Sequence, residues 1–338
     1  MDMIDQTGET RTEPLLSVTD LAVSFTGDGA WYRAVDGVSF TVSPGETLAI
    51  LGESGSGKSV TMRAVMGLLP ARASRRDQGT VRFGGHELPA RPGPRTRELC
   101  GREMSMVFQD SLSALNPVMT VGRQVAELFR VRAGMSRRAA HDAAVEVLER
   151  VGIPDAGRRY RSYPHEFSGG MRQRVVIAMA LALGPRLLIA DEPTTALDVT
   201  VQAQIMELIA QLRDETGMAV VLISHDLGVV ADLARRVLVM YAGRVVESGP
   251  LREVYERPAH PYTVGLMASL PDAVTPGEKL RTIGGAPASP GALPPGCAFH
   301  PRCPLATERC RVEVPALRPV GDGRAAACHY AEAVLDAD

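Results

Sequence analysis

Gly52-Glu53-Ser54-Gly55-Ser56-Gly57-Lys58-Ser59 has the residue types and the spacing of a phosphate-binding loop. An apolar run, Thr47 to Leu51, precedes it as a buried strand should, and a helix-compatible run, Val60 to Leu69, follows. Gly52, Gly55 and Gly57, with Ser54 between them, let successive backbone N–H groups turn inward as an anion nest. The helix N-terminus adds partial positive charge. Lys58 would reach the β- and γ-phosphates of a nucleotide, and the Ser59 hydroxyl would complete the coordination of Mg²⁺. Of the 37 basic residues only Lys58 and Lys279 are lysines, so a chain that otherwise uses arginine keeps a compact point charge here. The loop predicts binding of a nucleoside triphosphate.

Other stretches offer chemistry that fits this ligand. Leu187-Leu188-Ile189-Ala190 leads into two adjacent carboxylates, Asp191 and Glu192. Side chains alternate on a strand, so one carboxylate can serve Mg²⁺ while the other polarises the attacking water. Val220 to Ser224 reads as a buried strand with His225 at its C-terminal end, placed to contact a γ-phosphate. Met104 to Phe108 likewise delivers Gln109, an amide able to hold Mg²⁺ or a water. Ser168-Gly169-Gly170 opens a helix-compatible run to Leu183, a second anion-binding helix start. Phe25, or else Trp31 or Tyr32, is available to stack on a base, with core packing as the plain alternative for Phe25.

Cys297, Cys303, Cys310 and Cys328 follow C-x5-C-x6-C-x17-C among five prolines, a composition that leaves little room for regular structure. A small loop-rich segment needs a staple, and local thiols in a chain expected to be cytoplasmic suggest a metal before disulfides. The spacing is not the paired C-x2-C of common zinc sites, and free or redox-active thiols stay open. Cys100 stands apart and reads as an incidental thiol.

The elements that must position these groups are those of an α/β protein. Residues 15–42 carry short β-rich runs, which predict an antiparallel sheet ahead of the phosphate-loop strand. From 119 to 151 apolar residues recur at helical spacing, which predicts a helical subdomain inserted in the α/β core. At 338 residues, with 45% hydrophobic and 22% charged, the chain has the composition of a globular protein. A net charge of −2 gives no argument for nucleic acid. No apolar run reaches the roughly 18 residues of a membrane helix, and the polar first thirteen residues show no signal-peptide core.

These blocks, in this order, resemble the ATPases of ABC transporters. Carried onto this sequence, the resemblance makes Gly52–Ser59 the Walker A motif and Gln109 the Q-loop residue. It makes Ser168-Gly169-Gly170-Met171-Arg172 the signature, Leu187–Asp191 Walker B, and Glu192 the catalytic carboxylate. Ala196-Leu197-Asp198 becomes the D-loop, with Asp198 near nucleotide, and His225 the switch histidine. The signature departs from the usual Leu-Ser-Gly-Gly-Gln at its ends, where Phe167 and Met171 stand, but its Ser-Gly-Gly is intact. Phe108–Pro117, then Thr120-Val121-Gly122, His260-Pro261-Tyr262-Thr263 and Gly285-Ala286-Pro287 are similar to ATPases of oligopeptide, dipeptide and nickel importers. The likeness runs from about residue 15 to 330.

The resemblance implies a P-loop NTPase core with an antiparallel β subdomain, a helical subdomain and a Cys/Pro-rich C-terminal extension. The expected boundaries are a disordered 1–13, a nucleotide-binding domain at 14–250 (helical subdomain about 110–170), and an extension at 251–338 with the cysteine segment 297–328. It implies ATP and Mg²⁺ as ligands, and head-to-tail pairing with a second ATPase subunit, either a copy of itself or, as expected, a paralogue. It further implies two membrane permease subunits, an extracytoplasmic binding protein, and a place on the cytoplasmic face of the membrane. In that family the cysteine segment can carry an iron–sulfur cluster, so four cysteines would suit [4Fe-4S], with zinc as the alternative. The rival functions are a soluble ABC ATPase outside transport and a redox- or iron-responsive regulatory ATPase.

Overall fold

The computed structural model describes residues 13–27, 29–110, 114–195, 197–226, 228, 230–269, 283–289 and 291–336. Of the expected disordered start at 1–13, residues 1–12 lie outside these, as do Ser111 to Ser113 and Ala196 of the motifs quoted above.

Two sheets carry the fold. The first is antiparallel, in the order β2-β1-β4-β5, from β1 (Leu16–Gly27), β2 (Ala30–Val42), β4 (Ser74–Phe83) and β5 (His86–Leu88). The three short β-rich runs expected at 15–42 are here two long strands. Their pairing slips register between Val18 and Ser24, which absorbs the interruption read as strand ends.

With β10 (Arg244–Pro250), β11 (Arg318–Gly321) and β12 (Arg324–Ala326) at one end, the second sheet runs β11-β12-β10-β9-β3-β8-β7-β6. Its centre is parallel: β3 (Thr47–Leu51), β6 (Met104–Val107), β7 (Leu187–Asp191), β8 (Ala219–Ser224) and β9 (Arg236–Tyr241). Every residue of β3, β7 and β8 is buried, as expected of parallel strands covered on both faces. Alternation splits them between two cores. Leu48, Ile50, Leu187 and Ile189 face the antiparallel sheet and the Lys58–Val65 helix. Ala49, Leu51, Leu188 and Ala190 face the helices Gly169–Leu181 and Val199–Thr216 and the helical subdomain.

The helical subdomain is built from Val121–Arg132, Arg137–Arg150 and the short Ala156–Arg159 helix. Gly122 is needed where it crosses the third of these, because a Cβ there would occupy the Tyr160 ring.

Beyond residue 250 the chain holds more regular structure than its prolines suggested. After β10 (Arg244–Pro250) come helices Leu251–Glu256 and Pro261–Ala268. A hairpin of β11 (Arg318–Gly321) and β12 (Arg324–Ala326) then joins the main sheet, with Glu247 of β10 opposite Ala326. Phe299 and Tyr262, both from this extension, pack in the main core against Tyr241, with ring centroids 4.7 to 5.4 Å apart. The extension is therefore continuous with the core through both hydrogen bonds and packing. Among the described residues no helix is long and apolar enough to cross a membrane.

Candidate functional site

Because β3, β6, β7 and β8 are parallel, their carboxyl ends share one edge, and that edge is where the predicted chemistry gathers. A cavity of about 930 Å³ opens there, within the size range of small-molecule sites. It is lined by the Glu53–Ser59 loop, Gln109, Glu192 and His225, with Phe25 and Tyr32 at another part of its wall.

The loop has the strained shape an anion nest requires. Gly52 has φ 149° and a Cβ there would collide with the Met240 carbonyl oxygen. Gly57, at φ 102°, precedes the Lys58–Val65 helix, whose first N–H groups have no partner within the helix. Lys58 Nζ donates to the carbonyls of Gly52 (2.6 Å) and Glu53 (3.0 Å). Burial pushes the pKa of this ammonium down, opposed by Glu192, Asp191 and Glu53.

Ser59 and Asp191 meet as a metal pair should. The Ser59 hydroxyl donates to Asp191 Oδ1 at 2.6 Å. Asp191 is fully buried, and burial pushes its carboxyl pKa up while the Ser59 bond pulls it down. Its Oδ2 has no hydrogen-bond partner among the described residues, and Arg63 Nη2 is 3.9 Å away. A buried carboxylate oxygen without a donor, beside a hydroxyl, is the donor set of a hard divalent cation, so these residues fit Mg²⁺.

Glu192 points elsewhere. The expectation was that strand alternation separates the two carboxylates. The strand ends at Asp191, and Glu192 is in the left-handed region at φ 48°, so a turn redirects it. Its carboxylate accepts from Gln109 Nε2 (2.8 Å) and Thr195 Oγ1 (3.0 Å), and His225 Nδ1 lies 3.3 Å away. Gln109 thus bonds to the water-activating candidate Glu192, whereas Ser59 bonds to Asp191.

Of the aromatic candidates, Phe25 and Tyr32 lie nearly parallel, 6.3 Å apart, and both line the cavity. Trp31 lies under Arg75 instead, 4.3 Å from ring centroid to guanidinium.

Ser168, Gly169, Gly170 and Asp198 are not among the residues lining this cavity. Ser168 is exposed and caps the Gly169–Leu181 helix, accepting from Met171 N–H at 3.3 Å. Gly170 must be glycine for packing as well, since a Cβ would run into Val201. Asp198 caps the Val199–Thr216 helix, accepting from Val201 N–H at 2.9 Å.

The cysteines present a mixed picture. All four line one small cavity, with His260, His300 and His329 around it. Gly296 (φ 69°) permits a close approach in which Cys297 N–H donates to Cys310 O at 2.8 Å. Burial pushes the thiols of Cys297, Cys303 and Cys328 up, Cys303 to about 11. Yet among the described residues no three His, Cys, Asp or Glu side chains stand where they could hold one metal ion. Neither the expected iron–sulfur cluster nor the zinc alternative gains support beyond the shared cavity. Cys100 donates to the Met66 carbonyl at 3.2 Å, away from the others.

Sequence reasoning missed several residues here. Thr195 is a hydroxyl three positions after Glu192, a spacing with no signal of its own. Leu266, Ser269 and Ile283, from the extension, also line the nucleotide-sized cavity. Arg302 donates twice to Glu53, at 2.6 and 2.9 Å, and Glu53 N–H donates to Tyr262 Oη at 2.8 Å.

Comparison with known proteins agrees with this geometry. The ABC transporter family profile matches residues 35–195, and that of the oligopeptide/dipeptide transporter C-terminal region matches residues 246–310. A protein of Brucella abortus (strain 2308) that bears the name "putative peptide import ATP-binding protein" is 52% identical over 318 residues, covering 94% of this chain and 95% of its own. Another so named, from Brucella melitensis biotype 1, is 50% identical over 327 residues, covering 94% of this chain and 97% of its own. Among solved structures, the dimeric ATP-binding cassette MJ0796 in a post-hydrolysis state with ADP and phosphate superposes with TM-score 0.62. It is 27% identical, covering 70% of this chain and 99% of its own.

Proposed function

This chain belongs to the ABC transporter family of ATP-binding subunits, and we propose that it powers import of peptides through separate membrane permeases. The observation that carries the ATPase reading is the meeting, at one strand edge, of the phosphate loop, the Ser59–Asp191 pair and Glu192 with its partners. The nucleotide's phosphates would lie on the N–H groups of Ser54 to Ser59, with Lys58 leaving the loop carbonyls to reach them. The base would stack against Phe25 and Tyr32. Ser59 and Asp191 would hold Mg²⁺, which neutralises charge developing on the phosphates. Glu192 would accept a proton from the attacking water, oriented by Gln109, Thr195 and His225.

Ser168-Gly169-Gly170, outside the cavity at a helix start where Ser168 is exposed, would complete the site of a second subunit rather than its own. Pairing head to tail, a paralogue would return the favour with its own signature. The helical subdomain would dock two permeases, as its exposed Val118, Val131 and Tyr163 suit (78%, 70% and 40% exposed). A binding protein on the far side would deliver peptide, and this subunit would sit on the cytoplasmic face. The division into a core at 14–250 and an extension beyond it is kept as a functional boundary only, since the sheet crosses it.

For the cysteines, a four-iron cluster is kept as the proposed occupant on the grouping of the four thiols alone, since the cavity they line is only about 20 Å³ and would have to widen to hold it. Cys297, Cys303, Cys310 and Cys328 would hold it after losing their thiol protons. Iron and acid-labile sulfide in about equal amounts, after anaerobic purification, would support it; neither would remove it.

The transport reading is tested by phosphate release and peptide uptake in vesicles carrying the complete importer. Uptake that survives Lys58→Ala would refute it.

A further inference from the structure

Glu53 is an acid inside an anion-binding loop, and this needs an explanation. A carboxylate at that position opposes the phosphates that the loop is shaped to receive, unless something neutralises it. Arg302 does so from 249 residues away. Its guanidinium grips both Glu53 oxygens, and its side chain is only 4% exposed. A two-pronged pair of this kind, sheltered from water, holds geometry as well as charge. Tyr262 Oη takes the Glu53 N–H, and Lys58 donates to the Glu53 carbonyl. Two of the groups fixing Glu53, Arg302 and Tyr262, thus come from the C-terminal extension.

Arg302 is in turn fixed by the cysteine segment. It ends the turn His300–Arg302, in which His300 N–H donates to Cys297 O (3.0 Å) and Cys303 N–H to His300 O (3.3 Å). Its Nε donates to Gly284 O at 2.9 Å, on the stretch that brings Ile283 to the nucleotide-sized cavity.

We propose that Arg302 is a positioning residue for the phosphate loop, neutralising Glu53, so that the cysteine segment controls nucleotide affinity in cis. The proposal rests on reading Gly52–Ser59 as the nucleotide site. Coupling of this kind is reciprocal: nucleotide binding must also steady the turn around Cys303.

The test is binding of ATP and ADP, with Mg²⁺, to the full chain and its variants. Arg302→Gln should weaken ATP by about tenfold, a typical coupling strength, and ADP by less, since ATP carries more charge. Glu53→Gln should bind at least as well as the parent chain. The double variant Arg302→Gln/Glu53→Gln should recover to within about threefold of the parent, because the charge needing neutralisation is gone. A double variant as weak as Arg302→Gln alone would mean that Arg302 acts only as a structural prop and would overturn the proposal. So would an Arg302→Gln variant that binds normally. Lys58→Ala separates the two layers: unchanged binding there removes the nucleotide-site reading itself, and this inference with it.

Hydrogen exchange on the unmutated chain gives a readout that needs no variant to fold. Saturating ADP should slow exchange in residues 297–310 as well as in the phosphate loop. Slowing in the loop alone would contradict the coupling.

Discussion

The Gln109 amide donates to a Glu192 carboxylate oxygen 2.8 Å away, linking two residues separated by 83 positions. Gln109 follows β6 and Glu192 follows β7, and these strands are parallel neighbours. Any shift of the Gln109 segment therefore reorients the group that would activate water. In the functional reading, this is how movement at the permease-facing subdomain reaches the chemistry.

Glu192→Gln should leave ATP affinity within about threefold of the parent but lower turnover by roughly 10² to 10⁴, the range typical of a lost general base. Gln109→Ala should lower turnover less, and without loss of Mg²⁺ dependence, since in the proposed function Ser59 and Asp191 would hold that ion. Steady-state phosphate release beside equilibrium nucleotide binding separates the two effects.

Asp191→Asn should weaken ATP binding when Mg²⁺ is present and change it little in EDTA. A loss of about tenfold or more with Mg²⁺ is expected for a carboxylate supporting a divalent ion. Equal loss in both conditions would place Asp191 in the packing alone.

Phe25→Ala should cost about 1 kcal/mol of nucleotide affinity, the value of one aromatic stacking partner. ATP and GTP should suffer alike, because a ring face reads no base edge. Trp31→Ala should leave both unchanged, its ring being engaged by Arg75.

His260 predicts a pH effect on stability. Its ring is buried, Nδ1 accepts from Tyr262 N–H at 3.0 Å, and burial lowers its pKa from 6.5 to about 3. The unfolded chain takes up this proton below about pH 6.5 and the folded chain does not until about pH 3. The contribution is thus whole above pH 6.5 and falls by about 1.4 kcal/mol per pH unit beneath it. Between pH 6.5 and 5, denaturant unfolding should show His260→Leu losing about 2 kcal/mol less than the parent chain. The buried Glu247, whose pKa burial raises, acts with the opposite sign and is common to both chains.

Much of the site was legible because its chemistry is local in sequence. A phosphate loop must have its glycines and lysine at fixed spacing, and a carboxylate at a strand end leaves an apolar run ahead of it. What the sequence hid is long-range or conformational. Nothing near Glu53 points to Arg302, and an arginine beside a cysteine has no periodicity to read. The left-handed turn at Glu192 is a backbone state that a non-glycine residue does not advertise. The β12 strand, Arg324-Ala325-Ala326, is too short to show alternation, so its pairing with β10 emerged only in three dimensions. All four cysteines line one cavity, but their spacing does not tell what that cavity holds.

The most direct test of the account is ATP-driven peptide uptake by the complete importer in sealed vesicles, comparing the parent chain with Glu192→Gln. The account predicts uptake and phosphate release together for the parent, and neither for Glu192→Gln despite normal ATP binding. Undiminished uptake by Glu192→Gln would contradict it.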